Sequence, residues 1–320
     1  MFSADNRLHL ATTASTNQVA SDLIISDVPP EGFLVIADEQ TEGRGQQGNR
    51  WETEPGKNLT FSFILYPTFL NARYPFDLNI AVSLGISDTL RVYCGEDLTI
   101  KWPNDIFNND KKLGGVLIEN TMHGNRIASS VVGIGINVNQ ILFSEAIGNP
   151  TSLTLILKRK ITVEPLLNDL LGNIERRYFQ LKTGMTDALR EEYISRLYLY
   201  HTWHLFSTDE GKFKARIQGV SLEGRLILEF ENGSTGEYGF KEIAFRKPLN
   251  TSASLSASIP MKLRSGFSAI IFRNGLRSAS STTCTSQPLS RGSKFVVSVN
   301  AKGALPALAI TSCDDGVFES

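Results

Sequence analysis

Cysteine is scarce, with three among 320 residues. Cys94, Cys284 and Cys313 are widely spaced, form no CxxC pair and offer no disulfide framework. Long apolar runs are also missing. None approaches the roughly 20 residues needed to span a bilayer. Residues 1–7 lack a basic stretch followed by an apolar one, so no secretory signal is expected. Charge of one sign is not in excess: 32 Lys and Arg against 33 Asp and Glu leave a net charge of −1. That balance gives no support for a general nucleic-acid or membrane-surface binder, although a local basic patch stays compatible with it. These absences point to a cytoplasmic protein with no membrane partner. Cys94 ends an apolar helical pattern and reads as a small core residue.

Core-forming residues are plentiful. The chain is 41% hydrophobic and 20% charged, and its length suits two domains. Ser15-Thr16-Asn17-Gln18 precedes Val19, Ala20, Leu23 and Ile24, as a capped helix start would. Residues 32–37 read as a buried strand and residues 38–58 as a long polar, glycine-rich loop. Residues 59–65 alternate like a strand. Phe76, Leu78, Ile80, Ala81, Leu84, Ile86, Leu90 and Val92 form a helical stripe. Residues 98–102 make another strand, stopped by Pro103, and residues 114–120 and 129–138 make two more, with hairpin-like connections. Residues 164–199 return to helix, with Leu166, Leu167, Leu170, Leu171, Ile174 and Phe179 expected on one face. This mixture predicts an α+β or mixed α/β domain over residues 1–200. Short strand-like pieces separated by Asp209-Glu210-Gly211, Glu223-Gly224 and Asn232-Gly233 then predict a small β-barrel over 201–249. Residues 250–320 are rich in serine and threonine without a consistent period and read as a disordered or loosely attached tail.

Two segments carry chemistry. Gly43-Arg44-Gly45-Gln46-Gln47-Gly48 matches GxGxxG, but a dinucleotide fingerprint needs a strand before it and a helix after it. Pro55 and Gly56 oppose such a helix. A flexible loop with glycines and Arg44 still suits a phosphate, and Trp51 could face a purine. A mobile surface loop with Trp51 in the core fits the same residues. In Lys101-Trp102-Pro103-Asn104-Asp105, a strand end breaks at proline into turn formers. Lys101 could hold a carboxylate and a phosphate at once, or be a solvated edge-strand lysine.

Together and in this order, these segments resemble the biotin protein ligase family, also called biotin–acetyl-CoA-carboxylase ligases. Lys112-Leu113-Gly114-Gly115-Val116-Leu117-Ile118-Glu119, Gly133-Ile134-Gly135-Ile136-Asn137-Val138 and Pro150-Thr151-Ser152-Leu153 complete a match over roughly residues 8–247. The resemblance implies an SH2-like catalytic domain followed by an SH3-like barrel. It implies an ATP-dependent ligase that forms biotinyl-5′-AMP from biotin and MgATP. Biotin then passes to a lysine of a biotin carboxyl carrier domain of acetyl-CoA carboxylase or a related carboxylase. Lys101 and Arg44 would be the catalytic charges. Biotin would lie among Ser15, Thr16, Asn17, Gln40, Gly43, Arg44, Gly45, Gln46, Lys101, Gly115, Gly133 and Gly135, with Gly115, Gly133 and Gly135 leaving room for its rings. The adenylate would meet Arg44, Gly45, Gln46, Gly48, Trp51, Lys101, Lys112 and Asn137. Mg²⁺ would arrive with ATP, and no ligand cluster for it is evident. A homodimer is left open.

Structural roles remain beside these: Ser15 as a helix cap, Gly114 and Gly115 as a β-bulge, Asn104 and Asp105 as a turn. Two departures stand out. Many relatives read GRGRxG, whereas Gln46 replaces the second arginine here, so one phosphate contact is missing unless Arg50 supplies it. Only about a dozen residues precede Ser15, too few for the DNA-binding winged helix of bifunctional relatives, so no DNA partner is expected. The rival readings are a lipoate ligase or octanoyltransferase of the same superfamily, and a non-catalytic biotin-sensing module.

Overall fold

The computed structural model describes residue 2, residues 5–144 and residues 148–246. Cys284, Cys313 and the tail expected at 250–320 lie outside the described residues. A seven-stranded sheet runs in the order β1-β2-β3-β7-β6-β5-β4. Its strands are β1 (Arg7–Thr13), β2 (Leu34–Gln40), β3 (Leu59–Leu65), β4 (Leu98–Lys101), β5 (Asp105–Asn108), β6 (Lys111–His123) and β7 (Arg126–Ile136). Only β1 and β2 are parallel; the other pairs are antiparallel. The chain is therefore α+β with a mixed sheet.

Alternation divides the faces of this sheet. Leu59, Phe61, Phe63 and Leu65 of β3 face the main core, whereas Ile64 joins Ala20, Val35 and Val131 on the opposite face. Helix α1 (Thr16–Ser26) covers that second face. The main core is covered by α2 (Phe76–Cys94), α4 (Val163–Lys182) and α5 (Thr186–Ser195); a short α3 (Leu153–Leu157) precedes α4. A second, five-stranded antiparallel sheet follows, order β11-β10-β9-β8-β12. It comprises β8 (His204–Thr208), β9 (Gly211–Val220), β10 (Leu226–Phe230), β11 (Thr235–Tyr238) and β12 (Ala244–Arg246). Phe206, Ala215, Ile217 and Leu228 from this sheet join the same core cluster as the large sheet.

Several local expectations need correction. Val92 is 84% exposed and Phe179 62% exposed, so neither belongs to its helix's buried stripe. Val92 sits two residues, about 200°, beyond buried Leu90, and Phe179 five residues, about 140° net, beyond buried Ile174. Tyr178 and Leu181 hold the core positions instead. The long loop begins later than expected, because β2 runs through Gln40. Strand β1, absent from the sequence reading, supplies the parallel partner, pairing Thr13 with Gln40. The turn after Pro103 is shorter than expected, because Asp105 already opens β5. Where β5 meets β6, the register skips Leu113, giving the bulge that Gly114 and Gly115 suggested. Cys94 packs against the core, and burial first, then Asp97, push its thiol up to about 12.

Candidate active site

One register row builds the floor of the site. Thr60 pairs with Gly135, Gly135 with Gly115, Gly115 with Asp105, and Asp105 with Lys101. Directly paired residues share a face, so five strands bring these five residues into one line. The next row pairs Ser62 with Gly133 and Gly133 with Leu117. The glycines of these rows let the side chains above them settle close to the sheet, and Lys101 ends the first row. All these residues except Ser62 line a cleft of about 330 Å³, within the usual range of small-molecule sites.

Polar residues fill the α1 side. Ser15 stands at the N-cap of α1 but makes no capping hydrogen bond through its side chain. The Gln40 Oε1 accepts from the Thr16 backbone N–H at 2.7 Å and its hydroxyl at 3.0 Å. The Asn17 Nδ2 donates to Glu119 Oε2 at 2.6 Å, and the Ser62 hydroxyl lies 2.6 Å from Asn17 Oδ1 and 2.7 Å from Thr16 Oγ1. A Cβ at Gly133 would lie 2.2 Å from Asn17 Oδ1, and one at Gly135 would lie 2.3 Å from the Trp51 ring. These two glycines therefore make room for protein side chains, where the sequence reading reserved that room for a ligand. Beside Gly115 stand Asp105 Oδ1 and Lys112 Nζ.

The glycine loop forms no Rossmann helix. Arg44 and Arg50 bridge antiparallel across a single 3₁₀ turn, Gln46–Gly48. The backbone N–H of Gly45 donates to Asn49 at 2.7 Å, and that of Trp51 to Gly43 at 2.9 Å. Arg44 Nη2 donates to Gln18 Oε1 at 2.9 Å, and Arg50 Nη2 to the Thr41 carbonyl at 3.2 Å. Both guanidiniums are exposed at the cleft. Among the described residues, the Gln46 Oε1 and Trp51 Nε1 are buried without hydrogen-bond partners. Such groups are costly to leave unpaired, which marks them as places where a bound polar group would be stabilising.

The lysine segment is held from three directions. Asn79 of α2 and Tyr193 of α5 both donate to the Pro103 carbonyl, at 2.8 and 2.9 Å. Trp102 Nε1 donates to the Gly224 carbonyl, in the turn between β9 and β10, at 2.9 Å. The peptide bond between Trp102 and Pro103 is cis. Asp105 pairs with Lys112 at 2.6 Å, and Lys112 lies over the Trp51 ring at 5.7 Å. Lys101 is half-buried, and that burial holds its pKa below the ordinary lysine value; Asp105 opposes the shift and Lys112 adds to it.

Of the residues singled out from sequence, Ser15, Thr16, Asn17, Gln40, Arg44, Gly45, Gln46, Trp51, Lys101, Lys112, Gly115, Gly133 and Gly135 line this one cleft. Gly43, Gly48 and Asn137 do not. Asn137 is buried, and its Nδ2 donates to the Thr151 carbonyl at 3.0 Å, so its amide supports the wall rather than facing the cleft. Sequence reasoning placed Asp105 in the turn after Pro103 and missed it as a lining residue; it opens β5 and pairs with Lys101. It also missed Phe240 and Ile243 of the β11–β12 connection and Ala244 and Phe245 of β12, which line the same cleft. Nothing local in the sequence marks them.

Fold and cleft define an α+β protein with a small-residue sheet floor, an arginine-bearing glycine loop and a lysine aimed at one site. Comparison narrows this. Residues 10–137 match the biotin/lipoate A/B protein ligase family. The bifunctional ligase/repressor BirA of Bacillus spizizenii is 32% identical over 223 residues, covering 69% of this chain and 68% of that protein. The biotin–[acetyl-CoA-carboxylase] ligase of Paracoccus denitrificans is 28% identical over 225 residues, covering 68% of this chain and 92% of that protein. The solved biotin protein ligase of Aquifex aeolicus, in complex with biotin and ATP, superposes with a TM-score of 0.64 at 27% identity, over 76% of this chain and 99% of that one. The chain belongs to the biotin/lipoate A/B protein ligase family.

Proposed function

We infer that the cleft above the row from Thr60 to Lys101 is where biotin and ATP meet. The protein is an ATP-dependent biotin–protein ligase, and a biotin-accepting carboxylase is its partner. The observation that carries the site assignment is the row itself, which sets a half-buried lysine at one end of a small-residue floor, with two arginines at the same cleft.

In the first half-reaction a biotin carboxylate oxygen attacks the α-phosphorus of ATP. A P–O bond forms, the bond to pyrophosphate breaks, and biotinyl-5′-AMP results. Both reactants are anionic, so the protein must screen their repulsion and hold them in line. Lys101 supplies one charge. The nearby Asp105 carboxylate is taken up by Lys112 at 2.6 Å, so the Lys101 ammonium keeps its charge for the ligand. Arg44 and Arg50 supply the loop side and would close over the adenylate phosphate. Thr16, Asn17 and Gln40 would meet the ureido ring. Trp51 would face adenine. In the second half-reaction the acceptor lysine amine attacks the acyl carbonyl, the C–O bond breaks, and AMP leaves. The loop over the cleft protects the anhydride from water until then.

Among the described residues no group of three His, Cys, Asp or Glu side chains could hold a metal ion. Magnesium is read as entering with the ATP substrate. The large sheet with its helices is read as the SH2-like catalytic domain over residues 1–200, and the five-stranded sheet as the SH3-like barrel from 201. The acceptor is read as a biotin carboxyl carrier domain, and the compartment as the cytoplasm. No helix among the described residues is long and apolar enough to cross a membrane.

The test is biotin-dependent ATP–pyrophosphate exchange, followed by transfer to a carrier domain detected with streptavidin. Exchange with biotin and a biotinylated carrier are expected. Exchange with lipoate and none with biotin would overturn the reading.

A further inference from the structure

Two aromatic rings bracket the Lys101 ammonium. Its Nζ lies 4.8 Å from the Phe107 ring centroid and 5.2 Å from that of Phe245. Both distances fall inside the roughly 6 Å over which a ring face attracts a cation. The rings come from different sheets. Phe107 lies in β5, the strand beside that of Lys101, where it pairs with Thr99 and so shares the face of Lys101. Phe245 belongs to β12 of the small sheet, more than a hundred residues later, where it pairs with Phe206. Neither ring is loose. Phe245 packs against Phe206 at 5.2 Å and Tyr198 at 6.4 Å, and Tyr198 packs against Phe107 at 5.4 Å. The Tyr198 backbone N–H donates to Ile100 at 2.9 Å, one residue before the lysine.

We propose that Phe245, with Phe107, forms an aromatic clamp that positions the Lys101 ammonium for the reacting carboxylate and phosphate, so that the small sheet contributes a positioning residue to adenylation. This rests on the reading of Lys101 as the charge that screens the two anions. Lysine carries a strongly hydrated head on a flexible stem. A clamp that orders and partly dehydrates it in advance removes a cost that would otherwise fall at the transition state. Rings suit this task better than a carboxylate, because they attract the cation without neutralising it. The neighbouring carboxylate, Asp105, is engaged by Lys112. Phe245 thereby makes the charge site depend on the docked small sheet.

The experiment uses the full chain in biotin-dependent ATP–pyrophosphate exchange. Phe245→Leu keeps the apolar bulk and removes the ring. We expect kcat to fall about ten-fold, with KM for biotin changed less than about three-fold, the size expected for one desolvated cation–ring contact. Phe245→Tyr should stay within about two-fold of the parent. In a Lys101→Ala background, Phe245→Leu should cost less than about two-fold, because the contact it removes is already gone. A full kcat for Phe245→Leu, an equal loss in both backgrounds, or failure of tyrosine to rescue would each overturn the clamp. If Phe245→Leu unfolds, Phe107→Leu in the large sheet carries the same expectations and the same overturning results. Full exchange in Lys101→Ala alone would instead overturn the role of Lys101, which keeps the two failures apart.

Discussion

The Trp51 indole rests on the bare backbone of Gly135, where an added Cβ would come within 2.3 Å of the ring. Trp51 also hydrogen-bonds through its backbone to Gly43, so the same contact seats the arginine loop. Gly135→Ala should push the indole away and with it the loop. We expect a stability loss of about 1–3 kcal/mol, as for overpacking at a fixed backbone. Biotin-dependent exchange should fall at least about ten-fold beyond what the unfolded fraction accounts for. Thermal unfolding and exchange rates on the same samples check this, and unchanged exchange would remove Trp51 from the site.

Lys101 gives a pH signature. Burial lowers its pKa below the ordinary lysine value, with Asp105 working against that shift and Lys112 with it. The ammonium is charged below its pKa, so the charge is lost at lower pH than in a free lysine near 10.4. The value of kcat/KM for biotin should therefore begin to fall with rising pH before that point. Lys101→Arg should carry the alkaline limb to higher pH at a reduced rate, because a guanidinium stays charged. Identical limbs in the two proteins would assign the titration to another group.

Gln46 leaves the loop one arginine short, and its Oε1 is buried without a hydrogen-bond partner among the described residues. Gln46→Arg adds a charge-assisted donor at the cleft and should lengthen the lifetime of bound biotinyl-5′-AMP by about ten-fold. Arg50→Ala should shorten it, since Arg50 supplies the remaining exposed charge on that strand of the loop. Pulse–chase release of labelled adenylate measures both. Unchanged release from Gln46→Arg would show that the loop is not limited by its charge.

Stability away from the cleft should depend on Asp88. Arg177 and Arg176 of α4 pair with it at 2.6 and 2.8 Å, and Arg196, the C-cap of α5, at 2.8 Å, tying α2 to α4 and to the end of α5. Burial pushes the Asp88 carboxyl up, but hydrogen bonds and charge from Arg177 and Arg196 outweigh this and hold it below the ordinary value. Its contribution is thus present above the unfolded-state pKa, near 3.9, and is lost as pH falls through the lower folded value. Arg177→Met should cost about 1.5–3 kcal/mol by removing one charged hydrogen-bond donor from Asp88, which keeps Arg176 and Arg196. It should also move acid unfolding to higher pH while activity per folded molecule stays unchanged. Acid and thermal melts check this; wild-type melts would show that the remaining arginines suffice.

Much of the fold was legible because burial imposes local periods. The strand at 59–65 alternates in apolar character and the helix from residue 76 repeats it along the sequence, although β3 is buried along its whole length and α2 at every position from Asp77 to Ser87. The misses have equally local causes. Strand β1 has no buried residue and a weakly alternating pattern, so its place beside β2 comes from parallel pairing across the intervening α1. Val92 and Phe179 are apolar but lie off the buried face, which only the helix's neighbours define.

The sequence by itself determined the chemistry on offer: an arginine-bearing glycine loop, a lysine at a proline-broken strand end, and glycines placed for close approach. Those are properties of residue types in short windows. Tertiary structure decided how they meet. It aligned Lys101, Asp105, Gly115, Gly135 and Thr60 in one row, gave the space over Gly133 and Gly135 to Asn17 and Trp51, and turned Asn137 into the wall. It also brought Phe245 to Lys101 from a separate sheet. Register and packing are set by hydrogen bonds and buried surface between segments far apart in the chain, and no short window of sequence contains both partners.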